Sequence, residues 1–371
     1  MKQKAFLYLA ITALLALSAF TLKEKGDGHW ELLKTKNKIA ARSECSFVRT
    51  DEGFFLIGGD GPAMPVEDLD LVTLTWNKKA MVPVPMHHLQ AVAYDYKIYV
   101  LGAFMTGNYP NQTPIDHVYT YDTQYNMWEV GGEIPAARRR AGAGTAEYKG
   151  KLYLVAGITN GHTSGTNAMF DEYDPIKKTW KQLPDAPHIR DHAQAVVVGD
   201  KLYALGGRNT SLHDKDNFMS FFDKVQLAVD CYDFKKRKWS TLDAQLPLGT
   251  GGGTAVNLDG KIYYIGGERA TATTPNGPQK DVFYYDPAKG GQWVKTADLN
   301  MARNGVGGTV YEHKIYVAGG AGGGMPGPPP GAGPVGAPQG PPQPKDGKMP
   351  QGPPPGGQGG GDIAVEVFTL K

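Results

Sequence analysis

Six times along the chain a short apolar strand runs into a pair of small residues: "FFLIGG" (54–59), "KIYVLGA" (97–103), "KLYLVAG" (151–157), "KLYALGG" (201–207), "KIYYIGG" (261–267) and "KIYVAGG" (314–320). Downstream of each lies a second apolar strand. In four copies it carries Tyr-Asp, at Tyr121-Asp122, Tyr173-Asp174, Tyr232-Asp233 and Tyr285-Asp286, and in the first copy Leu69-Asp70. Trp76, Trp128, Trp180, Trp239 and Trp293 follow these aspartates at six or seven residues. The residues between, such as "PIKKT" and "FKKRK", are polar, as a hairpin turn would be. Each repeat therefore reads as an antiparallel sheet with two apolar faces. Such a unit cannot bury both faces alone, so neighbours must stack around an axis.

The chain has six tryptophans, and the sixth is Trp30, in "HWELLKTKN" before the first repeat. The last copy ends in "IAVEVFTLK" (363–371) and has no Trp strand of its own. The N-terminal segment is thus expected to supply the missing outer strand of the last sheet, joining the two ends of the ring. Composition agrees, since 49 Gly, 27 Pro and more Tyr (19) than Phe (13) favour strands and turns over helices. With 20% charged residues and a net charge of +2, the chain carries no electrostatic footprint of a nucleic-acid binder, and no nucleic-acid partner is expected.

The paired glycines, the Tyr-Asp ahead of Trp and a leading R-x-x-x-x-A/G strand together resemble the Kelch repeat. Gly102-Ala103 and Ala156-Gly157 depart from the glycine pair by one small residue each. The resemblance implies an all-β, six-bladed Kelch-type β-propeller over residues 29–371, with the last blade closed by an N-terminal strand.

Two segments stand outside the rhythm. Residues 1–18 read as a signal peptide: Lys2 and Lys4 precede an apolar run from Ala5 to Leu17, and Ala16-Leu17-Ser18 puts small residues where a signal peptidase cuts. The run is short for a membrane span of about 20 residues, so no span is expected after cleavage. Residues 19–28 follow as a linker, and the mature protein is expected in the periplasm or outside the cell. The proline- and glycine-dense stretch 320–362 reads as a disordered loop inserted in the last blade. Cys45 and Cys231 lie far apart in the repeat scheme and are expected to be buried free thiols.

In a four-stranded blade, the loops before strand one and between strands two and three open on one face. Aligning the copies puts Arg42, Met86, Arg140, Arg190, Gly249 and Arg303 in one register, with Glu44, His88, Gly142, His192, Gly251 and Gly305 two residues on. These residues are expected to ring the mouth of the central channel. Asp60, Arg208, Glu268 and Arg269, after the glycine pairs, and the longer loops 104–114, 158–167, 208–226 and 268–281 share that face. Guanidinium forks suit carboxylates and paired hydroxyls, so Arg42, His88, Arg140, Arg190, His192, Arg208, Arg269 and Arg303 are the candidate ligand-binding residues, for a glycan or a protein.

Two enzyme families share this scaffold. Galactose oxidase-like enzymes need a copper site with two Tyr, two His and a Cys cross-linked to Tyr, and no matching ligand set is evident. The bacterial N-acetylneuraminate epimerases, which interconvert sugar anomers, are distantly similar. Glu268, directly after Gly266-Gly267, resembles their proposed acid-base Glu, although Thr274 stands where that family has an Arg. No zinc-spaced Cys/His set appears, so no metal and no cofactor is expected. Three readings stay open: a binding propeller, a sugar mutarotase using Glu268, and a surface assembly scaffold using the Pro/Gly-rich loop.

Overall fold

The computed structural model describes residues 28–37, 39–105, 109–272, 276–322 and 364–371. The proposed signal peptide and nearly all of the Pro/Gly-rich stretch lie outside them. Six four-stranded antiparallel sheets follow in chain order. Blade 1 comprises Cys45–Thr50, Gly53–Gly58, Pro65–Asp70 and Thr75–Met81; blade 2, Val92–Tyr94, Lys97–Val100, His117–Asp122 and Met127–Glu133. Blade 3 comprises Gly144–Tyr148, Lys151–Asn160, Ser164–Asp174 and Thr179–Leu183; blade 4, Gln194–Val198, Lys201–Leu205, Asp230–Asp233 and Lys238–Thr241. Blade 5 comprises Thr254–Leu258, Lys261–Ile265, Val282–Tyr285 and Val294–Lys295. Blade 6 takes Asn304–Tyr311, Lys314–Ala321 and Val365–Leu370, and its outer strand is Gly28–Leu33. The ring closes in this sheet, with Trp30 opposite Phe368.

The repeat signature has a local cause at each position. Trp faces the aromatic or Leu of the preceding strand directly across the hairpin, as Leu69–Trp76, Tyr121–Trp128, Tyr173–Trp180 and Tyr232–Trp239. Such cross-strand pairs are the unit that stabilises a sheet. The aspartate after Tyr caps the turn: Asp122 Oδ1 accepts from the Gln124 and Tyr125 amides, and Asp233 Oδ1 from those of Lys235 and Lys236. These are Asx turns, which only a short acceptor side chain can make. Three of the Trp indoles also tie blades to linkers. Trp239 donates to Pro184 O, Trp293 to Ala244 O and Trp30 to Ala297 O. Trp30 thus makes, from the far end of the chain, the bond that Trp239 and Trp293 make to the linkers before their own blades.

Apolar faces of successive blades pack into a ring of cores. Phe47, Leu56 and Trp76 meet Tyr316 and Val367 between blades 1 and 6. Phe170 and Val155 meet Leu202 and Tyr232 between blades 3 and 4. Tyr203 and Cys231 meet Ile262 and Trp293 between blades 4 and 5. Cys45 and Cys231 are both buried and unpaired. Burial pushes the Cys45 thiol up to about 11.

First strands line the axis and enclose a cavity of about 320 Å³. Gln90 spans three of them: its side-chain carbonyl accepts from the Thr145 and Ala195 amides, and its amide donates to Ala195 O. At one end the channel narrows to a ring of Glu44, His88, Gly142, His192, Gly252 and Gly305, one residue per blade, with φ of 54°, 56°, 59°, 52°, 63° and 62°. Backbone bonds pass round it from His88 N to Glu44 O, Gly142 N to His88 O, Gly252 N to His192 O and Gly305 N to Gly252 O. This left-handed conformation favours glycine, which three blades supply. A Cβ at Gly142 would also lie 2.9 Å from His192 N. The blade 5 members of the two registers are corrected by one place. They are Thr250 and Gly252, because Gly252 carries the ring conformation and its hydrogen bonds.

Candidate functional site

The expected ring of free arginines at the mouth is not what the structure contains. Arg140, Arg190 and Arg303 are at most 1% exposed and Arg42 3%. Each meets an acid on the third strand of its own blade: Arg42 Nη2 to Glu67 Oε2 at 2.5 Å, Arg140 Nη1 to Asp171 Oδ2 at 2.8 Å, Arg190 Nη2 to Asp230 Oδ2 at 2.7 Å, and Arg303 Nη2 to Glu366 Oε1 at 2.9 Å. Other guanidinium donors reach main-chain carbonyls, for example Arg140 to Ala156 O and Leu154 O, whereas Arg190 Nε and Arg303 Nε are buried without a partner among the described residues. A buried guanidinium needs a carboxylate and further acceptors of this kind. These four side chains clamp the blade and offer no free fork to a ligand.

Glu268 and Arg208 do come together. Arg208 Nη1 donates to Glu268 Oε1 at 2.8 Å, Asn304 Nδ2 donates to Glu268 Oε2 at 2.8 Å, and Glu268 is 6% exposed. The Arg208 guanidinium also lies over Phe221 and Phe222, at 5.0 and 4.6 Å from the ring centroids, a desolvated cation–π arrangement. Arg269 is half-buried and donates to Ala270 O. Position 274 lies outside the described residues.

The histidines converge. His88 and His192, from the ring of blades 2 and 4, meet His162 at the tip of the blade 3 hairpin, and all three are buried. His88 Nε2 is 3.2 Å from His162 Nε2, and the His88 and His192 ring centroids are 4.8 Å apart. Around them, His162 Nδ1 meets Gln112 Oε1 at 3.1 Å and His192 Nδ1 meets Asp191 Oδ1 at 2.6 Å. His88 Nδ1 lies 2.5 Å from His87 Nδ1, which is 3.0 Å from Asp60 Oδ1. Burial, reinforced by neighbouring imidazoles, holds His88 and His162 well below the usual histidine range; burial and Arg208 lower His192. Burial opposes ionisation of Asp191, but hydrogen bonds led by that from His192 outweigh it and hold the carboxyl at about 2. Burial raises Glu44 well above the carboxylate range, helped by Asp60.

Sequence reasoning named His88 and His192 but not His87, His162, Gln112 or Asp191. His162 stands in a different register from the ring, in the loop 158–167. Only the adjacency of blades 2, 3 and 4 at the axis brings it in.

Above this knot the long loops of blades 2 to 5 interlock. Tyr109 packs on His162, with centroids 5.1 Å apart, and on Phe218, and its hydroxyl meets Met219 Sδ. His162 N donates to Pro110 O, Thr166 N to Ser211 Oγ, and Ala270 N to Phe222 O. Beneath the ring, between Glu44, His88 and His192, the cavity is only about 20 Å³, room for one water.

A channelled six-bladed propeller with a hooded face is the class these features define. A family description of the KLHDC2/KLHL20/DRC7 Kelch-repeats domain matches residues 16–207 and, in a second overlapping placement, 90–320. The chain belongs to the Kelch-repeat family, whose propellers are generic protein-binding modules. It is 28% identical over 311 residues to Kelch-like protein terF of Aspergillus terreus, a match covering 79% of this chain and 64% of that protein. Alpha-scruin of Limulus polyphemus is 28% identical, over 55% of this chain and 21% of its own length. Kelch-like protein 25 of Xenopus tropicalis is 27% identical, over 65% and 38%. The chain thus spans less than two-thirds of the length of these relatives. A solved structure titled "Structure of YjhT" superposes with a TM-score of 0.63 at 18% identity, covering 78% of this chain and 94% of that one. That likeness concerns the fold alone. Among the described residues, no helix is long and apolar enough to cross a membrane.

Proposed function

We propose that this chain is an exported binding propeller that takes a protein or an extended glycan chain on the hooded face of blades 2 to 5. The observation that carries the reading is the interlocked hood itself. Loops from four blades share side-chain and main-chain bonds, which presents a preorganised surface at little ordering cost on binding. Ile189, Leu212 and Leu227, in segments flanking or belonging to the blade 4 loop, expose apolar side chains of the kind that anchor partners. A monosaccharide held against the histidine ring fits less well, since the space between Glu44, His88 and His192 is about 20 Å³, room for one water. The mutarotase reading needs Glu268 to reach a sugar, and both its oxygens are engaged. Export rests on the signal-like residues 1–18.

The test is a glycan array and cross-linked capture from the native host, run with the full chain and with paired charge variants. Leu212→Glu, on the hood, should lower binding at least about tenfold, the loss of one anchor. Ile176→Glu, exposed at an outer turn of blade 3, should leave it unchanged. Binding that follows Ile176 instead of Leu212 would sink the reading. Deleting residues 1–18 should retain the protein in the cytoplasm on fractionation.

A further inference from the structure

We propose that His88, His162 and His192 form a binding site for one divalent transition-metal ion of the zinc type, with Glu44 as the fourth ligand. A ring nitrogen of each histidine lies within 4.8 Å of those of the other two, close enough for a shared ion after small shifts of the side chains. Hydrogen bonds fix which nitrogens these are. Gln112 Oε1 and Asp191 Oδ1 are acceptors, so His162 and His192 carry their protons on Nδ1 and turn bare Nε2 lone pairs inward. His192 Nε2 is buried and has no hydrogen-bond partner among the described residues. A buried polar atom left in that state requires a reason, and a cation supplies one. His88 supplies the third lone pair when its single proton stays on Nδ1, pointed at His87 Nδ1 2.5 Å away, which leaves Nε2 bare.

The surroundings match the demands of such an ion. The Asp191–His192 and Gln112–His162 bonds are the outer contacts that orient ligating imidazoles and set their tautomer. Burial keeps all three rings neutral, the form that binds metal. An all-imidazole set suits zinc, copper, nickel or cobalt and not magnesium or calcium. Glu44 Oε2 lies 3.7 Å from His88 Nε2, near enough to serve as the fourth ligand. On giving up its proton as an ion binds, Glu44 would join Asp191 in supplying two negative charges for a dication, while Glu268 offsets the nearby Arg208. Phe104 packs on His88 and His162 at 5.7 and 5.8 Å, and Tyr109 covers His162, so the site is walled by aromatic carbon. An ion here would staple blades 1 to 4 at the axis. A second arrangement, Asp60–His87–His88, uses an exposed carboxylate and has no comparable outer contacts.

The experiment uses the full chain, freed of any histidine tag and expressed with zinc or cobalt in the medium. Elemental analysis should find about one zinc per chain, and the cobalt form should show the intense visible bands of a tetrahedral site. His162→Ala and His192→Ala should abolish both signals. Asp191→Asn should weaken binding by roughly 10- to 100-fold. His313→Ala, at the exposed blade 6 hairpin, should change nothing. Two results overturn the proposal: folded wild-type protein that binds no cobalt after chelation and titration, or metal that is lost on substituting Asp60 and His87 but kept in His162→Ala. The wild-type titration decides the matter even if the alanine variants fail to fold.

Discussion

Blades 1, 3, 4 and 6 carry an arginine at the start of the first strand, and blades 2 and 5 do not. In the four, the guanidinium finds an acid on the third strand: Glu67, Asp171, Asp230 or Glu366. In blade 2 the two places hold Met86 and Tyr119; in blade 5, Thr250 and Phe283. Whenever the arginine is missing, the acid is missing too. A buried charge without its partner is costly, whereas an ion pair and an apolar pair of similar volume are close in stability. The arginines are therefore interchangeable scaffolding. What the repeat does not compensate is the histidine cluster, which exists only where blades 2, 3 and 4 meet.

The comparison can be broken most forcefully by orphaning one charge. Glu366→Ala should leave Arg303 buried and unpaired and cost about 3–5 kcal/mol, read as a shift in the urea unfolding midpoint. Installing the blade 2 solution, Arg303→Met with Glu366→Tyr, should recover most of that loss. A double variant no more stable than the single one would show that the pairs are not interchangeable. A smaller effect is expected in blade 5, where Thr250 Oγ1 donates to Gly266 O and the Tyr264 hydroxyl donates to Thr250 O. Thr250→Val should cost about 1 kcal/mol, one buried hydrogen bond. The smallest effect is local. With its thiol near 11 and buried, Cys45 stays protonated at pH 8 and should alkylate far more slowly in the native protein than in urea. Native labelling should rise with pH toward that value and be faster in Glu67→Ala, which loosens the Arg42 clamp beside it.

Much of this was legible because it repeats. Six strands each ending in two small residues, five spaced tryptophans and the displaced Trp30 lead directly to six blades and a closing strand. The fate of the arginines was legible too, in residues not compared: each partner acid stands two places before the Leu, Tyr or Phe that faces Trp, as Glu67 before Leu69 and Asp171 before Tyr173. Tyr119 and Phe283 hold that place in the blades without arginine. The histidine site was half legible. His88 and His192 share a register, but His162 enters from a hairpin tip 74 residues from His88. A repeat alignment compares like positions across blades and is blind to a contact between unlike ones.

The closing sheet sets how the ring would respond to load. Gly28 pairs with Leu370 and Leu33 with Val365, antiparallel, so the two ends of the described chain leave the same edge of one sheet side by side. Tension applied between residues 28 and 370 would act on one cross-strand pair at a time, peeling the seam like a zipper. Shearing, which strains every bond of a sheet at once, is not available to that geometry. Although the six blades are chemically alike, the molecule has a mechanical grain, and it runs through the blade built from both ends of the chain.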